Sequence, residues 1–190
     1  MTSDDLFSME KDPGSTLVIG GGYIAIECAG FLRGLGKPVH MMNRSTFLRT
    51  MDSDMAVRIV SELEHQGVIT LPQTTVKSAI RLQSGKVKVE LLVDGTDQTV
   101  EVDTVLVAIG RDCSPSALNL AELGVEVNQK SGKIVGRNGE KERTNVDNIY
   151  AVGDILEGVP ELMPVAARAG KILAHRLAAR KGGDESLEMV

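Results

Sequence analysis

The sequence predicts an α/β fold in which a parallel sheet carries helices and is extended by an antiparallel β-meander. Three observations lead there. Short apolar runs alternate with helical periodicity between residues 16 and 71. A Gly-rich turn joins the first run to the first helix. After residue 74, period-2 segments split by Gly turns replace the helical pattern.

Residues 1–13 are polar and lead, through Asp12-Pro13-Gly14-Ser15, into the first element, which reads as a lead-in between domains. Thr16–Ile19 is a short apolar run suited to a buried parallel strand. A helix follows with Ile24, Cys28, Phe31 and Leu35 on one stripe, and Gly36 suits its C-terminus. Pro38–Met42 is the second strand. Residues 52–66 form a second helix on which Met55, Ile59 and Leu63 recur, and Val68–Leu71 is the third strand. Thr75–Leu82, Lys86–Val93 and Gln98–Val102 alternate apolar and polar residues around Ser84-Gly85 and Asp94-Gly95, the pattern of antiparallel hairpins. Val105–Ile109 is another buried strand, closed by Gly110. Residues 111–147 are loop-rich, with Gly124, Gly132, Gly136 and Gly139. Asn148–Val152 reads as a last short strand. An Ala-rich helix runs from about Val165 to Arg180, with His175, Arg176, Arg180 and Lys181 at the negative end of its dipole. The tail, residues 182–190, is expected to be disordered.

The chain has 190 residues, room for one large domain or one domain and part of another. With 42% hydrophobic and 25% charged residues it has the composition of a globular chain that can build a core. A net charge of −5 argues against a nucleic-acid partner, because phosphate binding needs a basic surface. No apolar run reaches the roughly 20 residues of a membrane helix. The polar, acidic start Met1-Thr2-Ser3-Asp4-Asp5 is neither a signal nor a transit peptide, so the expected location is cytoplasmic, with a mitochondrial form as the alternative. Cys28 and Cys113 form no CxxC or metal pattern, which fits a reducing compartment.

The chemistry begins at Gly20-Gly21-Gly22-Tyr23-Ile24-Ala25, which fits G-x-G-x-x-G/A between a strand and a helix. The first glycine permits the tight turn, the second lets the backbone approach a pyrophosphate, and small Ala25 allows close helix–strand packing. The free N–H groups of the helix start would face the anion. A plain Gly-rich turn is the alternative; the surrounding β-α-β frame favours a Rossmann-like nucleotide site. NAD-binding chains place an acid about 20 residues on, at the end of the second strand, to hold the ribose hydroxyls. Here that strand ends in Met41-Met42-Asn43-Arg44, with no Asp or Glu. The loop beyond it offers Arg44, Ser45 and Arg49 instead. A 2′-phosphate carries about two negative charges, and guanidinium groups pair with it bidentately. NADPH is therefore favoured over NADH, the bland alternative being two solvated arginines. Tyr23 and Glu27 share one helix face; by spacing alone they suit a nicotinamide pocket and a surface acid beside a packed ring equally well. Cys28 sits on the apolar stripe and reads as core.

Beyond these residues, the chain resembles the pyridine nucleotide-disulfide oxidoreductases, flavoproteins with two dinucleotide-binding domains. Within them it is more similar to animal-type thioredoxin reductases than to glutathione reductases. The resemblance is carried by Thr2–Ser8, by Glu27-Cys28-Ala29-Gly30-Phe31-Leu32, by the Arg44…Leu48-Arg49 spacing and by Ala108-Ile109-Gly110-Arg111-Asp112. Thr144–Asp154 looks like the family's second flavin motif, and Glu161–Ala166 like the helix start that points at the flavin ring. A fused thioredoxin-glutathione reductase would share these features. The resemblance implies that residues 14–110 are an NADPH-binding domain and residues 111–181 a return segment of the FAD-binding domain. It places Gly21 to Glu27, Arg44, Ser45, Arg49, Ile109, Gly110 and Lys133 at NADPH contacts. Asp154, on the ribityl chain, and Glu161, Leu162 and Met163 fall at FAD contacts. Met163 stands where the family usually has Thr, so only a backbone contact there could survive.

The resemblance also implies segments outside these 190 residues: a first flavin fingerprint, a Cys-x4-Cys redox pair and an interface domain. The implied function is delivery of hydride from NADPH to FAD on the way to a disulfide, that of thioredoxin or of glutathione, in a homodimeric full-length enzyme. The chain by itself is expected to bind NADPH without reducing disulfides. A shortened product that only binds NADPH is the non-enzymatic alternative. A self-contained dehydrogenase would need its own acid or base, and His40, His65 and His175 read as structural or solvated.

Overall fold

Short strands can be buried on both faces only if a layer covers each side, and the first part of the chain supplies both layers. The computed structural model describes residues 1–137 and 142–182. It divides into two units, one ending at Gly110 and the other beginning at Arg111.

In the first unit, α1 (Ser3–Leu6), β1 (Thr16–Ile19), α2 (Tyr23–Gly34), β2 (Val39–Met42), α3 (Ser53–His65) and β3 (Ile69–Leu71) are followed by β4 (Thr74–Arg81), β5 (Val87–Val93), β6 (Thr96–Val102) and β7 (Thr104–Val107). β1, β2, β3 and β7 pair in parallel in the order β3-β2-β1-β7. The crossover from β3 to β7 is the antiparallel meander β4-β5-β6. Asp94 and Gly95, both with positive φ, make its second turn, the conformation that matches strand twist in two-residue hairpins.

Side-chain alternation sorts the parallel sheet into two faces. Val18, Met41 and Leu106 pack with Ala25, Cys28, Ala29 and Leu32 of α2 and with Ala56 and Leu63 of α3. Leu17 and Met42 pack with Val89, Leu91 and Val102 of the meander. The result is three layers: helices, parallel sheet, antiparallel sheet.

Several elements differ from the sequence expectation. The buried stripe of α2 is Ala25, Cys28, Ala29 and Leu32, while Phe31 and Leu35 are exposed. Small residues face the sheet because the helix sits close to it; the larger ones flank the contact. In α3 the core residues are Ala56, Val60 and Leu63, one position round from the expected Met55 and Ile59, which are exposed. β7 stops at Val107, after which Ala108 N–H donates to Ile19 O at 2.7 Å. Residues 1–6 do more than lead in. Thr2 bridges Val107 in parallel, Val107 N–H donates to Met1 O at 2.8 Å, and Met1 and Leu6 pack on the helical side of the core.

The second unit is held by Val125, Ile134, Ala151 and Leu156. Fully buried Thr144 organises its main loop: Oγ1 lies 3.0 Å from Val146 O and 2.9 Å from Ile149 O and accepts from Val146 N–H. Asn148–Val152 is not a strand. Tyr150 makes one bridge, to Arg143, and neighbouring backbone groups bond within the loop, Thr144 N–H to Ile149 O and Ala151 N–H to Glu142 O. Short 3-10 turns cover Pro115–Leu118 and Gly153–Ile155. The last helix, α4 (Met163–Gly182), begins two residues before the expected Val165. None of the residues 163–179 is fully buried. The tail from residue 183, and Gly139, lie outside the described residues.

Two outcomes follow from this packing. Leu17→Ala removes a fully buried side chain from the sheet–meander contact, and urea unfolding should show a loss of about 2–5 kcal/mol. Among the described residues His40 on β2 has a buried Nδ1 with no hydrogen-bond partner, and burial holds its imidazole below the ordinary 6.5. The unfolded chain then binds the proton more readily than the folded one. The associated stability is present above pH 6.5 and falls as pH drops toward the folded value. The unfolding midpoint, followed against pH, should decline there, and His40→Leu should remove that slope.

Candidate nucleotide-binding site

From β1 the chain turns one way to β2 and later returns on the other side as β7. Such a reversal leaves a crevice beyond the carboxyl ends of the two diverging strands. Three segments leave the sheet at this edge: Gly20–Glu27 after β1, Asn43–Arg49 after β2, and Ile109-Gly110 after β7. The expected nucleotide contacts of the first unit are thus gathered from three separate stretches of sequence.

The glycines have distinct roles. Gly20 has φ +146° and its N–H donates to Met42 O at 2.9 Å. Any Cβ there would overlap the carbonyl oxygen of Ala108. A Cβ on Gly21 would collide with the side-chain amide of Asn43. Gly22 is different: its φ of −83° is ordinary, and nothing lies within 4 Å of where its Cβ would be. The protein itself needs the first two glycines, whereas Gly22 leaves open space at the start of a 12-residue helix. The first i→i−4 bond there is Ile26 N–H to Gly22 O, at 3.2 Å. The N–H groups of Tyr23, Ile24 and Ala25 precede it and have no such acceptor, the usual condition of a helix start that cradles an anion. Ala25 is fully buried at the close helix–sheet approach and Ile26 is nearly so. Tyr23 is half exposed and Glu27 exposed, so the core consumes neither side chain.

The loop after β2 is anchored by two residues and shows the others to solvent. Phe47 and Leu48 are buried in the helical-side core; Arg44, Ser45 and Arg49 are exposed. Among the described residues neither arginine side chain has an ion pair or hydrogen bond. Ile109 and Gly110 are also exposed, Ile109 at 75%.

The remaining expected residues lie in the second unit. Lys133, expected with the NADPH contacts, forms a 2.6 Å ion pair with Glu161, and this hydrogen bond raises its pKa. Asp154 is exposed on the 3-10 turn Gly153–Ile155. That turn is braced against the first turn of α4: a Cβ on Gly153 would lie 3.0 Å from Ala166 Cβ. Ala166 N–H donates to Leu162 O, and Glu161, Leu162 and Met163 are exposed at the helix start. Asp154 and the beginning of α4 are therefore neighbours, an exposed carboxylate beside a helix N-terminus.

The cysteines are free and lie in different units. Burial raises the Cys28 pKa, with nearby Glu27 adding to the effect, so that thiol is a core group. Cys113 is half-buried, its Sγ 3.8 Å from Asp154 O. What sequence reading missed is the side chain of Asn43. In the sequence it shows only as the absence of an acid, and the structure lays it over Gly21.

Residues 1–170 match the sequence model of the family described as pyridine nucleotide-disulphide oxidoreductase. The chain is 43% identical over 189 residues to a thioredoxin reductase of Plasmodium falciparum (isolate FCH-5), covering 99% of this chain and 33% of that protein. The thioredoxin reductase of isolate 3D7 is also 43% identical and is covered to 29%. The chain thus spans about a third of the length of these relatives. Among solved structures, the HOCl-induced flavoprotein disulfide reductase RclA of Escherichia coli, as a Cu(II) complex, matches with a TM-score of 0.79 at 27% identity, over 93% of this chain and 38% of that one. Another structure of RclA gives 0.78 at 26% identity, with 93% and 39% covered. Matched along most of its length by both sequence and fold, the chain belongs to the pyridine nucleotide-disulphide oxidoreductases.

Proposed function

We propose that the chain is the NADPH-binding part of a flavin-dependent thioredoxin-disulfide reductase, together with one wall of its FAD site. The observation that carries this reading is the pair Arg44 and Arg49, exposed and without a side-chain partner among the described residues, beside a Gly-rich turn whose strand neighbour ends without an acid. The open space at Gly22 and the N–H groups of Tyr23 to Ala25 suit a pyrophosphate. The guanidinium groups of Arg44 and Arg49 suit the 2′-phosphate, with the Ser45 hydroxyl beside them. Tyr23 and Glu27 stand on the helix face where the nicotinamide end would lie, Tyr23 covering it and Glu27 holding its carboxamide. Ile109 and Gly110 form the opposite wall of the crevice.

When bound, NADPH supplies a hydride and FAD takes it up. In the second unit, the Asp154 carboxylate suits the ribityl hydroxyls, and the start of α4 favours negative charge at the flavin ring. Lys133 holds Glu161 at that end of the site through their ion pair. In the whole enzyme the disulfide acceptor is thioredoxin and the assembly a homodimer, at work in the cytoplasm. The names of the similar Plasmodium proteins favour thioredoxin over glutathione disulfide as acceptor.

Calorimetric titration with NADPH and then NADH, at one salt concentration, tests the reading. The wild-type chain should prefer NADPH. Replacing Arg44 and Arg49 with Ala should weaken NADPH by about a hundredfold, the worth of one or two charged hydrogen bonds, and leave NADH unchanged. Equal affinities in the wild type would sink the 2′-phosphate assignment. The thiol chemistry gives a separate outcome. With Cys28 in the core and Cys113 alone in the other unit, the chain supplied with NADPH and FAD should not reduce a disulfide dye. Sustained turnover would overturn this.

A further inference from the structure

We propose that Asn43 is the positioning residue that sets nucleotide selectivity, by tying the arginine loop to the Gly-rich turn and keeping a carboxylate away from the end of β2. This rests on the NADPH reading above and adds to it the device that holds the arginines in place.

The backbone of Asn43 is fully engaged. Its N–H donates to Leu71 O at 3.2 Å, and its carbonyl accepts from Thr74 N–H at 2.8 Å. The side chain therefore leaves from a rigid point. Nδ2 donates to Thr46 O at 2.6 Å, closing a small ring that contains Arg44 and Ser45. The same amide fills the space that a Cβ on Gly21 would take. From the far end of the loop, Leu48 N–H donates to Gly21 O at 2.6 Å. Leu48 holds φ +51°, a conformation that costs free energy for a residue with a side chain, and its burial beside Phe47 maintains it. Gly21 is thus gripped twice, with Arg44 inside the first grip and Arg49 just beyond the second. A backbone ordered before binding lowers the entropy lost when the arginines close on a phosphate.

Asn43 is also the first residue beyond β2, in the stretch where NAD-binding chains carry their acid. An aspartate there has no proton to give Thr46 O and would face that carbonyl with a negative charge. It would also repel a 2′-phosphate, yet could accept the 2′-hydroxyl of NADH. Asparagine carries no charge to repel the phosphate, and its amide nitrogen is engaged by Thr46 O within the loop.

The test uses the full chain in four forms: wild type, N43A, N43D and the Arg44/Arg49 double Ala variant, each titrated with NADPH and NADH. N43A should bind NADPH about tenfold more weakly, as for loss of one hydrogen bond, with NADH unchanged. N43D, which is isosteric and keeps the test open if N43A folds poorly, should weaken NADPH further and tighten NADH. Without any nucleotide, the Leu48 amide should exchange with deuterium faster in N43A. If both Asn43 variants keep the wild-type ratio of affinities while the double arginine variant loses it, the inference is overturned and the 2′-phosphate reading stands. Equal weakening of both nucleotides in N43A marks a merely structural role and overturns it too. A wild-type chain without preference overturns the selectivity claim together with the reading beneath it.

Discussion

Where β1 ends, the backbone of Gly20 runs against the carbonyl of Ala108 with no room for a side chain. Much of the first unit is arranged around this approach. It lets β1 and β7 stay in register to their last residues, with Ala108 N–H closing the ladder on Ile19 O. It turns the chain at once into α2, so that Ala25 lands on the sheet and the helix start stands beside the crevice. Strand register, helix seating and the place of the α2 N-terminus all depend on one glycine and one carbonyl.

The layering explains how four-residue strands can form a stable sheet. β1 and β2 send Val18 and Met41 to the helices and Leu17 and Met42 to the meander. A doubly wound fold would cover the second face with helices. Here the crossover between β3 and β7 is itself a sheet, which brings its own apolar face while its hairpin turns stay at the surface. The same economy shapes the arginine loop. Phe47 and Leu48 take the buried positions, leaving Arg44, Ser45 and Arg49 exposed to water.

The second unit follows a different logic. Its core is small, and hydrogen bonds do much of the ordering: Thr144 within its loop, Asn145 to the 124–126 backbone, Lys133 to Glu161. The Ala-rich α4 meets the Gly153–Ile155 turn at its first turns and presents no fully buried residue over 163–179. Small side chains let the turn and the helix start approach closely, which is what places Asp154 beside the α4 N-terminus.

The sequence by itself determined the order of elements, the Gly-rich turn and its frame, the meander with its hairpin turns, and the lack of an acid after β2. These are local matters, set by period, by glycine and by side-chain charge within a few residues. Tertiary structure decided the rest. Which stripe of α2 and α3 faces the core depends on how closely each helix sits on the sheet, so Ala25 and Ala29 displaced the larger Phe31 and Leu35. Asn148–Val152 had the composition of a strand, but a strand exists only with a partner, and the loop's backbone groups bond to one another instead. The two-residue advance of α4 and the commitment of Lys133 to Glu161 needed neighbours 28 or fewer residues away. Asn43 is the clearest case. Its position was plain in the sequence, but its grip on Thr46 and its place over Gly21 come from the meeting of two strand ends, which a linear pattern does not encode.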